Sequence, residues 1–134
     1  MNILVIDAQG GGIGKQLVAA VKKNIPNAEV TAVGTNISAT TVMKKAGADN
    51  VATGENAVLV CSRKADVIVG PIGIVIADSL LGEITPAMAT AVARSDAKRI
   101  LIPVNHCDNI VAGVSDLNVG RLIQSAIEEL RKLV

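Results

Sequence analysis

Apolar residues along this chain fall into short runs separated by stripes at helical spacing. Ile3–Ile6 is unbroken, as in a strand buried on both faces. Ile13, Leu17, Val18, Val21 and Ile25 then share one helical face, with Lys15, Lys22 and Lys23 outside it and Pro26 ending it. Glu29–Val33 reads as a second strand. Ser38 is placed to cap a short helix through Lys45, closed by Gly47. Asp49–Ala52 (strand), Glu55–Lys64 (helix) and Asp66–Val69 (buried strand) follow. Beyond Gly70-Pro71-Ile72-Gly73, the pattern predicts a helical Ile74–Leu81. Thr85 before Pro86 then marks the start of another helix, running to about Arg94. Arg99–Val104 is the next strand and Ile110–Val114 a candidate edge strand. Val119, Leu122, Ile123, Ala126, Ile127, Leu130 and Leu133 form the stripe of a last helix, capped by Asp116 or Asn118.

This alternation, with right-handed crossovers, predicts an α/β fold. Its core is a single doubly wound, mostly parallel sheet, Rossmann-like, in strand order 3-2-1-4-5 with helices on both faces. No linker or repeat divides the 134 residues, so residues 1–134 read as a single Rossmann-like nucleotide-binding domain. A chain that is 50% hydrophobic and 19% charged is not disordered. It has no Phe, Tyr or Trp, which excludes aromatic platforms for stacking bases. A net charge of +1 gives no strong pull toward nucleic acid or an anionic membrane, and neither is expected as a partner. Cys61 and Cys107 lack the spacing of a disulfide framework or zinc site, and no metal is expected. The first residues do not read as a signal peptide. The apolar stretch Val67–Ala77 falls short of the roughly 18 residues of a membrane helix. A soluble, cytoplasmic protein is the expectation.

The most informative segment is Asp7-Ala8-Gln9-Gly10-Gly11-Gly12-Ile13-Gly14-Lys15, between the first strand and the first helix. There the helix N-terminus presents free N–H groups, its dipole favours an anion, and residues without Cβ let phosphate approach the backbone. Gln9, Gly10, Gly11, Gly12, Ile13 and Gly14 are therefore cofactor-binding candidates. A strict GxGxxG fails, because counting from Gly10 puts Lys15 in the third place. The end of the loop resembles the TGxxxGIG turn of short-chain dehydrogenases, with Asp7 and Ala8 replacing Thr and the first Gly. It is less similar to a P-loop, since Gln16 stands where Ser or Thr would hold magnesium. The alternative reading is a glycine-rich connection that only lets strand and helix pack closely.

An acid about 20 residues after such a loop commonly grips the adenosine ribose. The second strand instead ends Val33-Gly34-Thr35-Asn36, which argues against ordinary NAD preference and leaves an NADP-like or mononucleotide ligand open. Thr35 and Asn36 are candidate ribose or phosphate contacts, or simply turn and capping residues. Gly70, Pro71, Ile72 and Gly73 follow the fourth strand on the same sheet edge and are candidates for the far wall of the crevice. Catalytic candidates are His106, Cys107, Asp78 and Glu83. His106 is the only histidine, and Cys107 beside it would be a nucleophile if ionised. The alternative is a polar strand end. With no Tyr, the Tyr-x-x-x-Lys chemistry of short-chain dehydrogenases is missing.

Several segments together resemble a family of short bacterial proteins described only as a domain of unknown function. They are Gln9–Lys15, Gly34-Thr35-Asn36, Gly47-Ala48-Asp49, Ala52–Ala57, Gly70–Ile74, Gly82–Met88 and Ile102-Pro103-Val104-Asn105. The resemblance implies a Rossmann-like domain and carries no activity. The residues themselves point to a nucleotide-binding protein with an NAD(P)-type dinucleotide as cofactor, acting as a sensor or accessory subunit. Two alternatives are a small hydrolase or transferase acting on a phosphorylated metabolite, and a non-catalytic oligomeric protein. The apolar segment Ile72–Ala93 suggests a homo-oligomer, a homodimer in its simplest form.

Overall fold

A computed structural model describes residues 1–104, 109–114 and 118–134. Five strands form one parallel sheet: β1 (Asn2–Asp7), β2 (Glu29–Gly34), β3 (Asn50–Thr53), β4 (Val67–Pro71) and β5 (Lys98–Ile102). Their order is β3-β2-β1-β4-β5, the doubly wound arrangement expected from the sequence. The helices are α1 (Gly12–Asn24), α2 (Ile37–Lys45), α3 (Glu55–Lys64), α4 (Pro86–Arg94) and α5 (Val119–Arg131).

The period of two along β1 distributes its side chains between two cores. Ile3 and Val5 pack with Leu17, Val18, Val21, Met43, Ile127 and Leu130 from α1, α2 and α5. Leu4 and Ile6 pack with Val58, Met88, Ala89 and Val92 from α3 and α4. Asp7, next in the alternation after Val5, falls on the α1 side. This parity carries its carboxylate under the start of that helix.

Element ends differ from expectation where a specific group decides them. α2 begins at Ile37 and is capped by Asn36, whose Oδ1 accepts from the Ala39 N–H at 2.9 Å, so Ser38 lies inside the helix. β5 ends at Ile102, before Pro103, which has no N–H to give a ladder. Residues 110–114 form no strand. Asn118 caps α5 by accepting from the Arg121 N–H at 3.1 Å, while Asp116 lies outside the described residues.

The expected helix Ile74–Leu81 is replaced by a 3-10 turn (Ile72–Val75) followed by tight turns. Asp78, Leu80 and Leu81 have φ of 64°, 56° and 58°, which no right-handed helix allows. The Ser79 hydroxyl donates to the Gly73 carbonyl, and the Asp78 N–H donates to the Ile84 carbonyl at 2.7 Å. These bonds fold the segment back so that Ile74, Leu80 and Ile84 all enter the α3–α4 core, which one helical stripe could not do. Thr85 then caps α4 as expected, accepting from the Met88 N–H at 3.1 Å with Pro86 in the first turn. Much of the apolar content of residues 72–93 is thereby spent on the protein's own core, with Leu81 left 88% exposed.

Candidate functional site

In this strand order the chain leaves β1 toward β2 on one side and returns to β4 on the other. Ligands of open α/β sheets bind beside the carboxyl ends of strands at such a reversal. A cleft of about 190 Å³ lies there, lined by residues 7–13 of the glycine loop, Pro71 at the end of β4, and Leu80.

The loop glycines divide by role. Gly11 has φ +73°, and a Cβ there would lie 2.7 Å from Val42 Cγ2 and 2.9 Å from Ala39 Cα. At Gly14 a Cβ would lie 2.6 Å from Met43 Sδ and 2.7 Å from Asp7 Cβ. These two let the loop pack on α2 and β1. At Gly10 and Gly12 a Cβ would meet nothing within 4 Å, so these two leave the loop surface open.

The amides divide in the same way. Asp7 is 5% exposed; its Oδ1 accepts from the Ala8 N–H at 2.8 Å and its Oδ2 from the Gly14 N–H at 2.6 Å. The Gly11 N–H donates to the Ala8 carbonyl at 3.0 Å, and the Gln9 N–H to Glu83 Oε1 at 2.9 Å. The N–H groups of Gly10, Gly12 and Ile13 have no partner among the described residues. All three residues line the cleft. Asp7 thus ties the end of β1 to the start of α1.

Glu83, a catalytic candidate from the sequence, is held by its Oε1, which accepts from the Gln9 N–H, from Thr35 Oγ1 at 2.6 Å and from Asn36 Nδ2 at 2.7 Å. Burial pushes this carboxyl upward, but the hydrogen bonds from Thr35, Gln9 and Asn36 outweigh it and hold the group below its ordinary value. Thr35 and Asn36 thus fasten Glu83 to the end of β2. Asn36 also donates to the Gln9 carbonyl at 3.0 Å while capping α2. The carboxylate whose absence from β2 the sequence records is supplied in space, 47 residues beyond Asn36. No local signal could have found it, because the contact depends on the left-handed turns at Asp78, Leu80 and Leu81.

The remaining candidates separate. At Gly70 a Cβ would lie 2.5 Å from the Ile6 carbonyl oxygen, and at Gly73 it would lie 3.0 Å from Ser79 Oγ. Both are therefore required by packing, and of the Gly70–Gly73 group Pro71 is the one that lines the cleft. Ile72 is half-buried at the start of the 3-10 turn. Asp78 is exposed in a turn. His106 and Cys107 lie outside the described residues. No group of three or more His, Cys, Asp or Glu that could hold a metal occurs among the described residues. Nor is any described helix long and apolar enough to cross a membrane. A second cavity, of about 340 Å³, includes Asn2, Glu29, Asn50 and Cys61 in its lining and lies at the opposite, amino end of β1–β3.

A family model described as a domain of unknown function (DUF3842) matches residues 2–134, and the chain belongs to that family. A search of curated proteins finds no match. Among solved structures, the chain is similar to a dodecameric FMN-dependent UbiX-like decarboxylase from Escherichia coli O157:H7. The identity is 20% and the TM-score 0.50, over 98% of this chain and 76% of that one. It is also similar to a probable oxidoreductase from Mycobacterium abscessus, at 22% identity and a TM-score of 0.52, over 98% of this chain and 39% of that one. The chain thus spans well under half of that second protein. At these identities the likeness is one of fold.

Proposed function

We propose that this member of the DUF3842 family binds a nucleotide, an NAD-type dinucleotide foremost, as a sensor or accessory subunit. The observation that carries this reading is the trio of unpaired N–H groups at Gly10, Gly12 and Ile13, lining a cleft at the sheet's topological reversal.

A non-catalytic role is supported by how the carboxylates in and next to the cleft are used. Asp7 accepts two backbone N–H groups, and Glu83 Oε1 accepts three donors, so both hold structure together. The flavin of one structural neighbour makes FMN the chief competing ligand. That neighbour's dodecameric state makes self-association part of the same proposal.

Thermal unfolding with NAD⁺, NADP⁺, ATP and FMN tests the reading. A ligand at 100 times its dissociation constant adds about 2.7 kcal/mol of stability. Stabilisation by NAD⁺ supports the proposal, stabilisation by FMN alone replaces the dinucleotide with a flavin, and no shift with any of the four refutes nucleotide binding.

A further inference from the structure

We propose that Glu83, tied to the edge of this cleft through the Gln9 N–H, is its ribose-recognising and specificity-determining residue, selecting a nucleotide whose adenosine ribose carries free hydroxyls and rejecting one with a 2′-phosphate. The inference rests on the nucleotide reading above and names the ligand class within it.

Three donors from two different connections meet on one oxygen of Glu83: Gln9 N–H from the glycine loop, and Thr35 Oγ1 and Asn36 Nδ2 from the end of β2. That arrangement saturates Oε1 and fixes the plane of the carboxylate. Oε2 is left without a partner among the described residues, a charged acceptor on a carboxylate that is bonded to the glycine loop at Gln9. Ribose hydroxyls are the donors a nucleotide offers next to its phosphates, and a charged acceptor binds them more strongly than a neutral one. The same three bonds favour the ionised form of the carboxyl against its partial burial. Among the described residues no Lys or Arg pairs with it.

A 2′-phosphate carries close to two negative charges at neutral pH and offers acceptors only. Placed against an ionised, unpaired carboxylate oxygen it meets repulsion and gains no hydrogen bond. In this proposal the acid missing from Val33-Gly34-Thr35-Asn36, whose absence leaves an NADP-like or mononucleotide ligand open, is replaced by a residue that sequence distance conceals. Thr35 and Asn36 act as positioning residues, since they orient Glu83 through its other oxygen.

Calorimetric titration of the full chain with NAD⁺ and with NADP⁺ tests this, on the wild type and on Glu83→Gln. The wild type should bind NAD⁺ at least about tenfold more tightly than NADP⁺. Glu83→Gln keeps the shape and one acceptor oxygen for the three donors, and should bring the two affinities within about threefold. Wild-type affinities within threefold of each other, or tighter NADP⁺, overturn the assignment while leaving nucleotide binding intact. Equal tightening of both ligands by Glu83→Gln would identify Glu83 as a plug that the ligand displaces, and also overturns it. If neither nucleotide binds the wild type, the nucleotide reading fails and the inference falls with it. The wild-type ratio needs no variant, so a Glu83→Gln protein that misfolds leaves the test decisive.

Discussion

Gly12→Ala and Gly14→Ala are the same chemical change two residues apart, and the structure assigns them opposite consequences. Gly12 opens α1, and a Cβ there would meet nothing within 4 Å. Replacing it lowers the entropy of the unfolded chain without native strain, a change of about 0.4–1 kcal/mol toward greater stability. At Gly14 the added Cβ would sit 2.6 Å from the sulfur of fully buried Met43 and 2.7 Å from Asp7 Cβ. Neither neighbour can move freely, because Asp7 is anchored by the Ala8 and Gly14 amides. Overpacking of this kind costs about 1–3 kcal/mol. The two variants should therefore differ by about 1.4–4 kcal/mol, or roughly 5–14 °C in melting temperature for a domain of this size. Urea unfolding followed by far-ultraviolet circular dichroism is the suitable assay, since the chain has no Trp or Tyr to fluoresce. Gly12→Ala should nevertheless weaken nucleotide binding by about an order of magnitude, because its methyl group stands among the unpaired amides. A Gly14→Ala protein as stable as wild type, or a Gly12→Ala protein destabilised by more than about 1 kcal/mol, would refute this division of the loop.

Other substitutions probe the supports of the cleft. The carboxyl of Glu83 is held below 4.5 in the folded protein, so its stabilisation is complete above that value and is lost as the pH falls through the folded value. The stability gap between wild type and Glu83→Gln should therefore narrow in urea titrations run at successively lower pH below 4.5, and a constant gap would contradict the hydrogen-bond account. Gly70→Ala would drive a Cβ to 2.5 Å from the Ile6 carbonyl oxygen, between β4 and β1. A loss of at least about 3 kcal/mol is expected on chemical denaturation, and a loss under about 1 would show that the strands can part there. Thr85→Ala removes the cap of α4 and the hydroxyl bonded to Glu55 at 2.6 Å. It should cost about 1 kcal/mol in the same assay, and no change would show that water caps the helix equally well.

The strand order was legible because each buried strand is an apolar run and each helix carries a stripe, and both patterns survive in the cores. The glycine loop was legible as a connection, but not which of its glycines serve packing. That distinction depends on Val42, Met43 and Ala39 of α2, far along the chain. The segment after β4 misled because its apolar spacing fits a helix, whereas Ile74, Leu80 and Ile84 reach one core through left-handed turns at residues not usually found there. The hydrogen bonds of Glu83 are hidden in the sequence for the same reason: its partners Gln9, Thr35 and Asn36 are all distant along the chain. Parity along β1 could have placed Asp7 beneath α1 from the sequence alone, since it follows Ile3 and Val5 at steps of two.

The amide signals of ¹⁵N-labelled protein during titration with NAD⁺ test the account most directly. It predicts that the largest shifts fall on Gly10, Gly12 and Ile13, with Gln9, Thr35 and Asn36 following through Glu83. Saturation with NAD⁺ that leaves Gly10, Gly12 and Ile13 unmoved would contradict it.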